Sequence, residues 1–145
     1  MSKRKEKTMS DTNKAAVRQY FESVNNRDTA SLGTIVADDV RYHGMQVSGL
    51  DQLVSKVGEI VHAIPDFNVT IEDLIAEGDR VVARTKERGT QENEFEGMPA
   101  TGRSFEVDEV NIFRFENGKI AEVWQISDQL GFLSQLGLLP EPTAS

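Results

Sequence analysis

Two stretches of the chain place carboxylates where they could move protons. Asp128 follows Trp124 by four residues and precedes Phe132 and Leu133. A carboxyl in such apolar company holds its proton closer to neutrality than usual. It could then take a proton from a carbon between carbonyls and return it to an alkoxide. The same position suits a helix cap, whose N–H bonds would keep the carboxylate ionised. The second stretch is the run from Phe105 to Phe115. Phe105, Val107, Glu109, Asn111, Phe113 and Phe115 recur at every second position and so share one strand face. Two polar groups on an apolar face are costly unless partnered. A ligand pocket would explain Glu109 and Asn111, and so would a bulge that turns them outward. Asp108 and Arg114 fall on the opposite face with Val110 and Ile112.

Other polar and aromatic residues carry weaker signals. Gln91 could donate to a substrate carbonyl or sit in an exposed loop. Trp124 shares its strand face with Ile120, Glu122 and Ile126, which suits the core or ligand stacking. His43 closes a short strand, where local backbone could satisfy it or a pocket mouth could use it. His62 lies between Val61 and Ile64 on a helical stretch, packing or facing water. Tyr20 and Phe21 are expected to pack the first helix onto the sheet. Glu92, Glu94 and Glu96 read as a solvated acidic loop rather than a metal site.

The elements that must position these groups follow from periodicity. Ala16, Val17, Tyr20, Phe21 and Val24 predict a helix over 13–25. Asp28 or Thr29 can cap a short second helix with Leu32, Ile35 and Val36. Val40–His43 reads as a short strand. Leu50 to Ile64 reads as a third helix, stopped by Pro65. From Phe67 the period becomes two. Strands are expected at 67–71, from Val81, at 105–115 and at 120–126, with Glu116-Asn117-Gly118 as a hairpin turn. Leu130 to Leu138 suggests a closing helix. Helices first and antiparallel strands afterwards predict an α+β domain, a curved antiparallel sheet wrapped around the N-terminal helices. The space between would be a cone-shaped pocket suited to an apolar ligand.

Composition removes several classes. The 145 residues suit one domain, with 38% hydrophobic residues and no Cys. Disulfide frameworks, thiolate nucleophiles and cysteine-based metal sites are excluded. No apolar run is long enough for a membrane-spanning helix, and no phosphate-binding loop or nucleophile elbow is present. A net charge of −8 repels nucleic acid. Lys3, Arg4, Lys5 and Lys7 crowd the start, so the rest of the chain is more acidic still. Residues 1–11 are expected to be a disordered basic tail, with Met9 an alternative start of translation. Residues 12–139 form one domain and 140–145 fray. Without a secretion signal, the cytoplasm is the expected compartment.

Several pieces together resemble one family. They are Ala76-Glu77-Gly78-Asp79-Arg80-Val81-Val82, Phe95 to Arg103, Gly118-Lys119-Ile120-Ala121-Glu122-Val123-Trp124, and Asp128-Gln129-Leu130-Gly131-Phe132-Leu133-Ser134-Gln135-Leu136-Gly137. In this order and spacing, over 13–139, the chain resembles the SnoaL-like polyketide cyclases of the nuclear transport factor 2-like superfamily. That resemblance implies cofactor-independent aldol ring closure of an aromatic polyketide ester by an Asp in an apolar cone. The matching residue is Asp128. It would act with Glu109, Asn111 and Gln91 orienting an enolate oxygen and with Trp124 and His43 near the substrate. His43 matches a position where the family often has His. Where relatives often read Gly-Thr-His-x-Gly, this chain reads Gly89-Thr90-Gln91-Glu92-Asn93. No cofactor or metal is implied; the expected partners are an apolar, carbonyl-rich small molecule and a second copy of the chain. Related cones also open epoxides or hydroxylate, which would need Asp108 and Arg114 to face inward. A non-catalytic ligand-binding or dimerisation module is the reading from outside enzymology.

Overall fold

The computed structural model describes residues 8–139. The basic run Lys3–Lys7 and the residues from Pro140 onward lie outside them. Helix α1 (Met9–Asn25) begins four residues before the first expected position. Thr8 caps it, its Oγ1 accepting the Asp11 N–H at 3.1 Å. Residues 9–11, expected to be tail, are thus its first turn.

A 3-10 turn (Thr29–Ser31) capped by Asp28 leads into the short α2 (Leu32–Ile35). Strand β1 (Val36–His43) is twice the expected length, and β2 (Val47–Ser48) is an unforeseen short strand paired with it. Helix α3 (Leu50–Ala63) ends before Pro65. Four strands follow, β3 (Asn68–Glu77), β4 (Arg80–Thr90), β5 (Ser104–Glu116) and β6 (Lys119–Ser127), before α4 (Gln129–Gln135).

The six strands form one sheet in the order β2-β1-β6-β5-β4-β3. β3 to β6 are an antiparallel meander, but β1 runs parallel to β6, with Tyr42 beside Val123 and His43 beside Trp124. The sheet is mixed, which corrects the expectation of a wholly antiparallel one. No turn links β1 to β6; α3 packs against β1 and β2 instead. Register shifts in β3 (Ile71/Asp73) and β5–β6 (Arg114/Phe115) mark irregularities that bend a sheet. The sheet is curved and does not close.

α1 lies against β3 and β4. Val17, Tyr20, Phe21 and Val24 face the core at helical spacing, and β5 alternates buried and exposed along nearly its whole length. Phe113, completely buried, meets Tyr20 and Phe21 edge-on, with ring centres at 5.5 and 5.8 Å. Close approach matters at Gly89, where a Cβ would come within 2.2 Å of Ile64 Cγ2. That absence of a side chain lets the end of α3 settle onto β4. Among the described residues, no helix is long and apolar enough to cross a membrane.

Candidate functional site

Between the concave sheet face, α3, α4 and the β4–β5 loop lies a cavity of about 480 Å³. Its size falls within the range of small-molecule sites. α3 contributes Val57 and Ile60; Ile64 and Phe67 follow it; β5 supplies Phe105 and Val107; α4 supplies Phe132. These follow from the amphipathic spacing of α3 and the inward face of β5. Polar side chains share the lining, among them Lys56, Glu87, Glu96, Glu109 and Gln125.

Glu109 stands on that inward face and lines the cavity, with only 3% of its surface exposed. Burial pushes its carboxyl pKa above the usual carboxylate range, against hydrogen bonds from Gln125, Asn111 and Thr85 that favour the ionised form. Thr85 Oγ1 lies 3.4 Å from Oε1, and Asn111 Nδ2 donates to Thr85 Oγ1 at 3.3 Å. Among the described residues, nothing partners Glu109 Oε2 or Asn111 Oδ1, both of them buried acceptors. Asn111 sits behind this chain and does not line the cavity.

Two tyrosines share this corner. Tyr20 on α1 and Tyr42 on β1 both line the cavity and are each 3% exposed. Burial raises both phenol pKa values, and the nearby Glu109 charge raises them further. Their side chains also hydrogen-bond to each other, which tempers the rise at Tyr20 and adds to it at Tyr42. Sequence reasoning assigned Tyr20 to packing alone and passed over Tyr42 and Gln125. Tyr42 is two residues beyond buried Val40 on the same strand face, a signal available only once β1 is known to be a full strand.

Gln91 is completely buried but does not line the cavity. It ties down the β4–β5 loop instead. Its N–H donates to Arg103 O at 3.0 Å, its Nε2 to Met98 O at 3.3 Å, and Thr101 Oγ1 donates to its Oε1 at 2.8 Å. The exposed-loop alternative is therefore corrected. The tip of this loop, where Phe95 and Met98 exchange backbone hydrogen bonds, faces the cavity. Lys56 of α3 holds it with a 2.6 Å bond to Glu96 Oε1.

Trp124 and His43 are placed away from the cavity. The register shift at Arg114/Phe115 leaves Ile120 inward while Glu122, Trp124 and Ile126 turn to the outer face of the sheet. There His43 stacks on Trp124 with ring centres 5.5 Å apart, Arg80 lies over the indole at 5.2 Å, and His43 Nε2 meets Glu122 Oε2 at 2.7 Å. That hydrogen bond, with Arg114 and Arg41, holds the Glu122 carboxyl below its usual range. Asp108 and Arg114 also face outward, paired with Lys86 at 3.4 Å and Glu122 at 3.2 Å.

Asp128 caps α4. Its Oδ1 accepts the Gly131 N–H at 2.8 Å, and the side chain is exposed at the rim. A Cβ at Gly131 would lie 2.2 Å from Asp128 Oδ2, so this cap requires glycine there. Its neighbours Ser127 and Gln129 line the cavity, while Asp128 itself does not. The structure thus groups Glu109 with Tyr20, Tyr42 and Gln125, and leaves Asp128, Gln91, Trp124 and His43 outside that group.

The family model described as SnoaL-like polyketide cyclase matches residues 14–136. No curated protein matches the chain. Among solved structures, TsrD from Streptomyces laurentii is 29% identical, with 88% of this chain and 96% of that one covered at a TM-score of 0.82. IdmH from Streptomyces antibioticus, a candidate polyketide cyclase, is 30% identical over 86% and 98% of the two chains, TM-score 0.74. AclR from Streptomyces galilaeus, a candidate hydroxylase, is 25% identical over 90% and 99%, TM-score 0.79.

Proposed function

Because the chain belongs to the SnoaL-like polyketide cyclase family, we propose that it closes a ring in an apolar, carbonyl-rich ester by an intramolecular aldol reaction, without a cofactor. One observation carries the assignment of the acid/base: Glu109 is the single buried carboxylate among the described residues, and its Oε2 lacks a partner. Its carboxylate takes a proton from the carbon between two carbonyls, and the electron pair moves onto oxygen as an enolate. The enolate carbon attacks a third, remote carbonyl carbon of the same molecule, forming the ring's C–C bond, and Glu109 returns the proton to the resulting alkoxide. A raised pKa serves both half-steps, since the base must be strong enough to take the proton and the acid weak enough to keep it until needed. Phe105, Val107, Ile60 and Phe132 give the substrate's apolar parts a wall to pack against.

A second reading keeps Asp128 as the acid/base, in line with its match to the family's Asp. It is favoured by the placement of Ser127 and Gln129 on the cavity wall, which puts Asp128 at the rim. The two are separated by comparing Glu109→Gln with Asp128→Asn on a β-keto ester that cyclises. A loss of about 100-fold or more in kcat for the Gln variant, with Asp128→Asn near the parent, supports Glu109. The reverse result transfers the role to Asp128, and two unimpaired variants refute both.

Hydrolysis or hydroxylation draws support from the likeness to AclR, but the outward Asp108 and Arg114 give a water-activating triad no place in the cavity. Labelled oxygen from water appearing in the product would favour it. We also propose that two copies associate through the outer sheet face, where Ile75, Val110 and Ile126 are exposed; a monomer mass in sedimentation refutes this.

A further inference from the structure

Tyr20, Tyr42 and Glu109 come from three different elements, α1, β1 and β5, all line the cavity, and Glu109 is near enough to act electrostatically on both phenols. Each is nearly sealed from solvent. The Tyr20 ring is fixed by edge-on contacts to Phe21 at 5.2 Å and Phe113 at 5.5 Å, so its hydroxyl has little freedom of position. Tyr42 on β1 and Tyr20 on α1 interact through their hydroxyls, which further limits where the Tyr20 O–H can point. Glu109 Oε2 is a buried acceptor with no protein donor among the described residues. A buried unsatisfied oxygen costs about 1–3 kcal/mol, so it calls for a partner that the protein does not supply. Donor and acceptor together match a group that both accepts and donates through a single oxygen.

We infer that Tyr20 and Glu109 form a seat for one enol or phenol oxygen of a flat, carbonyl-rich ligand, with Tyr42 as the positioning residue behind Tyr20. The ligand oxygen accepts from Tyr20 and its O–H donates to Glu109 Oε2. This deepens the reading of Glu109 above and rests on it for the reaction. During ring closure the oxygen that gains negative charge is the one Tyr20 faces, and a fixed donor stabilises charge there without reorganising.

The test is binding of 2-naphthol against naphthalene, two probes of nearly equal shape that differ in one hydroxyl. The parent should prefer 2-naphthol. Tyr20→Phe should lower that preference by about tenfold, and Tyr42→Phe by about threefold, as expected for loss of one direct and one supporting hydrogen bond. Naphthalene affinity should hold in both variants, which shows that the cavity is intact. A parent without preference for 2-naphthol, or a preference that survives both substitutions, overturns the inference. Its failure is distinct from that of the acid/base assignment. If Glu109→Gln and Asp128→Asn both turn over the keto ester at the parental rate while the preference depends on Tyr20, the seat stands and the acid/base reading falls. The opposite pattern removes the seat alone.

Discussion

Replacing Glu109 by Gln should stabilise the protein as it disables it, and the stabilisation should depend on pH. Burial raises the Glu109 pKa above its unfolded value near 4.5. A group raised in the folded state contributes stability below its unfolded pKa and loses it as pH rises through the folded one. Below pH 4.5 the carboxyl is protonated in both states, its O–H can make the same donation to Asn111 Oδ1 that an amide would, and the Gln variant gains little. Above the folded pKa the parent buries an anion with one unpartnered oxygen. A Gln at 109 carries no charge, and its amide can donate to Asn111 Oδ1, the other buried acceptor without a partner. Asn111 is two residues along the same strand face and within hydrogen-bonding reach of Glu109. Relieving one such oxygen is worth about 1–3 kcal/mol, or roughly 2–4 °C in Tm per kcal/mol for a chain of this size. Thermal melts of the two proteins should coincide near pH 4 and separate by about 2–12 °C at pH 8, with the Gln variant higher. A difference that stays constant with pH, or a parent that melts higher at pH 8, refutes the argument that Glu109 is an anion held against its environment.

Asp128→Ala should cost about 1 kcal/mol through loss of the α4 cap, with 2-naphthol binding unchanged; denaturant titration and fluorimetric binding measure the two effects. Gln91→Ala removes side-chain bonds to Met98 and Thr101 from a buried position and should cost about 2 kcal/mol, while hydrogen exchange speeds up across 92–102. Lys56→Ala cuts the 2.6 Å tie to Glu96; being partly exposed, it should cost under about 1 kcal/mol, but raise both on- and off-rates of naphthalene in stopped flow. If those rates are unchanged, the loop does not gate entry.

Much of the fold was legible because it is encoded locally. The alternation of Phe105 through Phe115 and the helical spacing of Leu53, Val57, Ile60 and Ile64 fix inward faces wherever one side is buried. β5 accordingly places Glu109 and Asn111 inward as spacing suggests. What was hidden depends on contacts distant in sequence. The parallel pairing of β1 with β6 brings Tyr42 beside Val123, and no local signal links residues 81 positions apart. The bulge at Arg114/Phe115 reverses the face of Trp124 relative to Ile120, because a one-residue slip moves every later side chain across the sheet. Gln91 looked like loop because its neighbours are polar; its burial follows from Ala63 O, which accepts the N–H groups of Glu92 and Asn93 and pulls the loop onto α3.

The reversed face of Trp124 governs how this protein can be watched. It is the only indole in the chain, and it sits between an imidazole and a guanidinium on the outside of the sheet. Its emission will respond to whatever covers that exterior, a second copy included, and stay nearly blind to molecules entering the cavity. A titration that leaves tryptophan light untouched says nothing against binding; the optical signal for occupancy must come from the ligand or from the two enclosed phenols.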